Sequence, residues 1–243
     1  LGETNLVQTE GYSEDVFCKK AQQIIQDKIQ NPTAEIHFIA GGTLANIVII
    51  SSLLKPYESI ISAETGHIHV HETGAIESIG HKIHTVKSPD GKLKPEDIQK
   101  VLDLHTDEHM VYPKAVYISN STEVGSIYNK YELTELSKFC KSKGLYLFLD
   151  GARLGAALTS TFNDLSLADI AQLVDIFYIG GTKNGALFGE AIVITNPKLK
   201  NHFRYYLKQK GALLAKGRIL GVQFLELFKD DLFFQLAEHS NKM

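Results

Sequence analysis

The chain has 243 residues, 44% of them hydrophobic, enough to bury a sizeable core in one large domain or one and a fraction. Its 25 basic and 28 acidic residues leave a net charge of -3 with no long block of one sign, which argues against nucleic acid or an anionic membrane as partner and for a small molecule. Cys18 and Cys140 are too few for a disulfide framework and lack zinc-site spacing; with no membrane-length apolar run and no signal-peptide pattern, the expected setting is the cytoplasm.

Apolar residues Val16, Phe17, Ala21, Ile24, Ile25 and Ile29 at helical spacing predict a helix over 12–30, stopped by Asn31-Pro32. A strand over 35–40 then runs into Gly41-Gly42-Thr43, followed by a helix over 44–54 and a strand over 59–62. His67, His69 and His71 come next; they would share one face of a strand, though Gly66 makes a loop at His67 equally consistent. Strand 82–86, helix 95–104, strand 115–119, helix 131–143 and strand 145–149 continue the alternation, the last delivering Asp150. Asp175 to Gly180 is an apolar strand-length run ending at Gly181-Thr182-Lys183, and 187–195 reads as a returning, antiparallel strand. From Pro197 onward the chain reads as helical. This β-then-α order predicts a mostly parallel sheet covered by helices on both faces, with chemistry at the carboxyl edge of its strands.

Three segments carry candidate chemistry. Lys183 lies between Gly180-Gly181 and Gly185, so the backbone can approach a ligand closely while the amine reaches a carbonyl; burial beside other cations would favour the neutral amine of Schiff-base chemistry. Asp150 ends an apolar run, where an unpaired carboxylate is expensive to bury, so it calls for a cation. The protonated ring nitrogen of pyridoxal phosphate is one such partner and Arg153, three residues on, is the other; the residues alone do not choose between them. Gly42 and Thr43 sit at a strand-to-helix turn that offers backbone N–H groups and a hydroxyl to a phosphate, or a simple helix cap. No metal site is expected from the three histidines; His67 alone is placed in the site, its ring against an aromatic cofactor.

In register, Gly42-Thr43-Leu44-Ala45-Asn46, His67 with Glu72, Asp150-Gly151-Ala152-Arg153 and Lys183-Asn184-Gly185 with Gly189 resemble the threonine aldolase and β-eliminating lyase family. The resemblance covers nearly the whole chain. It implies the three-layer α/β large domain of pyridoxal-phosphate transferases, mostly parallel with one antiparallel strand. It also implies that Lys183 anchors the cofactor, Asp150 pairs with its ring nitrogen, His67 stacks on the ring, Gly42 and Thr43 hold the phosphate, and Thr182 belongs to the cofactor site. Arg153 would contact its phenolic oxygen or the substrate carboxylate. The implied reaction is retro-aldol cleavage of threonine or allo-threonine to glycine and an aldehyde, with His67 or an ordered water taking the β-hydroxyl proton. Gly11-Tyr12 resembles the part of the family that reaches a neighbouring subunit, implying a homodimer or homotetramer.

The implied organisation is an N-terminal segment over 1–30 against a partner, a cofactor domain over 31–210, and a long helix over 211–243 leading toward a C-terminal domain not contained in this chain. With Leu1 in place of an initiator methionine, a piece of a longer protein is expected. Glu123, Phe148 and Thr182 stand where the family commonly has histidine, histidine and serine, and Lys216 or Arg218 is the candidate phosphate ligand offered to a partner. These departures leave open β-elimination, racemisation or transamination on the same cofactor, and a non-catalytic module of the same fold; a dinucleotide domain is disfavoured because no glycine-rich fingerprint is present.

Overall fold

The computed structural model describes residues 1–243. The first helix, α1 (Val16–Lys28), starts at the first residue of its apolar pattern rather than at 12, because the Asp15 carboxylate accepts from the backbone N–H groups of Phe17 and Cys18, at 3.0 and 2.9 Å, and so caps it. Along the chain follow β1 (Glu35–Ile39), α2 (Gly42–Leu53), β2 (Glu58–Ala63), α3 (His67–Val70), α4 (Ala75–Ser78), β3 (Ile83–Val86) and α5 (Pro95–Leu104). Then come β4 (Tyr112–Ser119), α6 (Lys130–Lys143), β5 (Tyr146–Asp150), α7 (Leu154–Leu158), α8 (Leu167–Leu173), β6 (Ile176–Gly180) and β7 (Glu190–Ile194). The chain finishes with α9 (Phe203–Gln209), α10 (Arg218–Phe228) and α11 (Leu232–Lys242). No helix is long and apolar enough to cross a membrane.

The seven strands form one sheet in the order β1-β7-β6-β5-β4-β2-β3. Strand β7 runs antiparallel to both neighbours, β1 and β6, and all other pairings are parallel. The expected one antiparallel strand in a parallel sheet is therefore present. Strand β5 shows why such strands read as unbroken apolar runs: Leu147 and Leu149 enter the core on one face, while Phe148 between them enters the core on the other. Phe148 is fully buried, with its ring centroid 5.4 Å from that of Tyr117 and 6.4 Å from that of Tyr178, so the residue at the family's histidine position is packing under the site.

Helices α1 and α10 lie side by side in the first core, so close that a Cβ on Gly221 would meet the Cys18 sulfur at 2.4 Å. The continuous helix expected over 211–243 is not found. Helix α10 ends at Phe228, Asp230 and Asp231 adopt left-handed φ of 52° and 59°, and α11 turns back to pack on α7. Phe228 stacking on Phe233, centroids 5.1 Å apart, holds the turn closed. The histidine segment is also not a strand. His67 to Val70 is one turn of helix, which brings His67 and His71 to a ring separation of 5.4 Å on one face and leaves His69 exposed.

Candidate active site

The carboxyl ends of the strands converge on a cavity of about 290 Å³ lined by Gly41, Gly42 and Thr43, by His67 and Glu123, by Asp150 and Arg153, and by Tyr178, Thr182, Lys183 and Glu190. Every residue expected in the site borders it, although β1, α3, β5 and β6 lie far apart along the chain.

Asp150 is the last residue of β5 and is 4% exposed. Its Oδ1 accepts from the Ala152 N–H at 3.0 Å; its Oδ2 accepts from the Tyr117 hydroxyl at 2.6 Å and from the Asn46 amide at 3.4 Å. These neutral donors soften the desolvation of the carboxylate without cancelling its charge. Arg153 forms no ion pair with it: α7 begins at the next residue and carries the exposed guanidinium along the rim. Asp150 is thus a buried anion with no cationic side chain bound to it, aimed at a cavity, which fits a protonated heteroaromatic nitrogen. Burial and the Asp150 charge push the Tyr117 and Tyr178 phenols well above their ordinary range, so both remain neutral donors beside it.

Across the cavity, α2 starts at Gly42. Its N-cap is Gly41, in extended backbone with φ 177°, and no side chain caps it, so Thr43 is not the helix cap that the sequence also allowed. The first-turn N–H groups lack intrahelical partners and border the cavity, an arrangement that suits an anion as at other helix N-termini. A Cβ on Gly42 would come within 3.2 Å of the Tyr178 hydroxyl, and one on Gly41 would meet nothing within 4 Å.

His67 is oriented from behind. Its Nδ1 lies 2.8 Å from Glu72 Oε1, and that oxygen also accepts from the Asn46 amide at 2.6 Å, linking histidine and Asp150 through one buried asparagine. Hydrogen bonding to Glu72 raises the His67 pKa against the opposing effect of burial. A histidine that binds its proton more tightly folded than unfolded adds stability in full below the ordinary histidine range, and that stability is lost as pH rises through the folded value. Glu72→Gln is therefore expected to bring the His67 titration down toward about 6.5, followed by its ring-proton NMR signal. An unmoved midpoint would remove Glu72 from the pair.

Glu123, at the family's histidine position, is a helix cap here. Its Oε1 accepts from the His67 N–H at 3.1 Å and from the Ser119 hydroxyl at 2.7 Å, fixing the start of α3 and with it the imidazole. Lys183 occupies the turn between β6 and β7 and is exposed, contrary to the expected burial, because the turn stands at the rim of the sheet. The turn is held at both sides: Asn184 donates to the Phe233 carbonyl at 2.8 Å, and the Thr182 hydroxyl donates to Glu190 at 2.8 Å. Lys216 and Arg218 do not border this cavity; they line a separate surface depression with Leu1 and Asn5, and Arg218 donates to the Thr4 hydroxyl at 2.9 Å.

Glu190, Tyr117 and Tyr178 were not expected. The tyrosines sit inside apolar strand runs, where period-two burial reads them as core, and Glu190 reads as a polar strand end.

A family model described as beta-eliminating lyase matches residues 5–242. The low specificity L-threonine aldolase of a Pseudomonas species is 38% identical over 95% of this chain and 67% of its own length. That of Pseudomonas aeruginosa is 34% identical over the whole chain and 70% of its own length. A solved Leishmania major threonine aldolase superposes with a TM-score of 0.98 at 54% identity, covering 99% of this chain and 70% of that one. The aspartate aminotransferase of Thermus thermophilus, at 12% identity and a TM-score of 0.73, shares the fold alone. The motifs in register, the sheet with its single reversed strand and the match over nearly every residue agree: the chain belongs to the β-eliminating lyase family.

Proposed function

We propose that this chain is a pyridoxal-phosphate lyase that cleaves threonine or allo-threonine to glycine and acetaldehyde. The observation that carries the reading is Asp150, a buried carboxylate without a cation, sharing one cavity with a lysine and an open helix N-terminus. The relatives named above as threonine aldolases support the choice of reaction.

Lys183 would hold the cofactor by its amine, Asp150 would keep the ring nitrogen charged, and Gly42 and Thr43 with the first turn of α2 would take the phosphate. Bound there, the cofactor supplies an electron sink for the pair released when the Cα–Cβ bond breaks. His67 offers a flat ring and a proton acceptor. With Glu72 holding Nδ1–H, the free Nε2 takes the β-hydroxyl proton as the Cβ–O bond becomes a carbonyl, and it can return that proton toward Cα. Arg153 and Thr182 border the substrate end, where the guanidinium suits the substrate carboxylate.

The enzyme is proposed to act as an oligomer. Exposed Leu6, Val7 and Tyr12 near the N-terminus support a contact there, and Lys216 and Arg218, turned away from their own cavity, suit a phosphate held by a partner.

The test is product analysis with added cofactor: acetaldehyde and glycine from threonine support the reading, while pyruvate from serine or cysteine marks β-elimination instead. No aldehyde from any β-hydroxy amino acid would sink it. Asp150→Asn, which keeps shape and removes charge, is expected to weaken cofactor retention and cleavage each by about a hundredfold, the order of a broken buried charge pair. Full activity in that variant, measured at saturating cofactor and after dialysis, would remove Asp150 from the site.

A further inference from the structure

One buried titratable group in the cavity wall has no part in that chemistry. Glu190 opens β7 and pairs in register with Gly180, the last residue of β6, so it lies directly across from the strand end that leads into the Lys183 turn. It is 4% exposed. Its Oε2 accepts from the Gly181 N–H at 2.8 Å and its Oε1 from the Thr182 hydroxyl at 2.8 Å. Thr182 Oγ accepts in turn from the Gly189 N–H at 2.9 Å, and the Gly189 carbonyl receives the N–H groups of Gly181 and Thr182, both at 3.1 Å. A Cβ on Gly181 would meet that carbonyl oxygen at 2.6 Å, and Gly189 has φ 110°, so only glycines permit this closure. The two residues before Lys183 are thus gripped by a single carboxylate.

No cation is bound to Glu190. Asp150 of β5 and Tyr178 of β6 face it, β1 places uncharged Ile39 opposite it, and the cavity's cations are Lys183, Arg153 and His67, with Glu123 the remaining carboxylate. Burial pushes its pKa up to about 7 against the pull of its hydrogen bonds, with Asp150 adding to the rise.

We propose that Glu190 is a positioning residue that sets the Lys183 turn in two ways according to whether it carries a proton. Ionised, it accepts from both Gly181 and Thr182. Protonated, it donates to Thr182 Oγ, whose own hydrogen swings to the Gly189 carbonyl oxygen 3.5 Å away, and the negative charge beside the lysine turn disappears. The role for Lys183 rests on its reading as the cofactor anchor; the two settings of the turn do not.

The experiment compares wild type with Glu190→Gln in three measurements. In the cofactor-free protein, infrared spectra should show a protonated-carboxyl band that fades with a midpoint near pH 7 and is absent from the variant. Amide protection at 181–183, corrected for the base-catalysed rise of intrinsic exchange with pH, should change several-fold across the same midpoint in wild type alone. The rate at which added pyridoxal phosphate is captured on Lys183, trapped with borohydride and read as a mass increment, should be equal in both proteins at pH 6. It should be about tenfold faster in the variant at pH 8, where only wild type carries the extra negative charge; tenfold corresponds to one pH unit of coupling. A band that titrates as an ordinary carboxylate, or a capture ratio independent of pH, overturns the proposal. If Glu190→Gln does not fold, Thr182→Val serves: losing a hydrogen bond to the ionised form should move the band's midpoint upward, and an unmoved midpoint is a refutation. Wild type that captures no cofactor would defeat the reading of Lys183, while the infrared and exchange results still decide the role of Glu190.

Discussion

Lys183→Ala is expected to lower aldehyde release from threonine by at least about a thousandfold, because it removes the amine proposed to anchor the cofactor and leaves only binding and the remaining polar groups. The loss should come without unfolding. Lys183 is exposed, and the turn around it is held by Asn184 and Thr182, so a stability change within about 0.5 kcal/mol is expected. Two measurements check this together: acetaldehyde assayed over the pH range, and the mass of protein treated with cofactor and borohydride. A variant that keeps a tenth of wild-type activity, or still carries a stoichiometric trapped adduct on another lysine, would show that the anchor lies elsewhere.

The second large effect is on folding. A Cβ built on Gly151 would lie 1.9 Å from the Tyr178 carbonyl oxygen, and the Gly151 carbonyl itself accepts from the Gly180 N–H at 2.9 Å. Both contacts are to backbone at the adjoining ends of β5 and β6, where neither partner can swing aside. Gly151→Ala must therefore force two central strands apart, at a cost above about 4 kcal/mol from a total of roughly 5 to 15. The expected result is loss of soluble protein at growth temperature, or a urea midpoint far below wild type. Gly41→Ala is the matched control: its backbone is extended and its Cβ meets nothing within 4 Å, so a midpoint near wild type is expected. Equal midpoints for the two variants would contradict the close packing of the strand ends.

Much of this arrangement was legible before any coordinates. Strand β5 announced itself as an apolar run ending in Asp150, and the need for a counter-charge followed from the cost of burial alone. The Lys183 turn was legible from its glycines and from the strand before it. What could not be read were partnerships between distant residues. Asn46 bridges Glu72 and Asp150, 26 and 104 positions away, and nothing local marks it. Alternating histidines suggested period two, but the Glu123 cap 56 residues on winds His67 to Val70 into a helical turn. The break between α10 and α11 falls on two aspartates in left-handed conformation with no glycine or proline to signal it; packing of Phe228 on Phe233 overrides local preference.

The reversed strand β7 has a consequence for how this molecule is made. Strand β1, which leads into Gly42 and Thr43, is an edge strand whose only neighbour is β7, with Glu35 opposite Ile194. A nascent chain that has emerged through β6 can hold β2 to β6 together, yet β1 has nothing to pair with until residues 190–194 follow. The Gly42 and Thr43 end of the cavity thus joins the lysine end only when the ribosome has delivered the last strand of the sheet. Closing a loop of that length is a slow, late event. Exposed β1 backbone is meanwhile the segment most open to pairing with another chain.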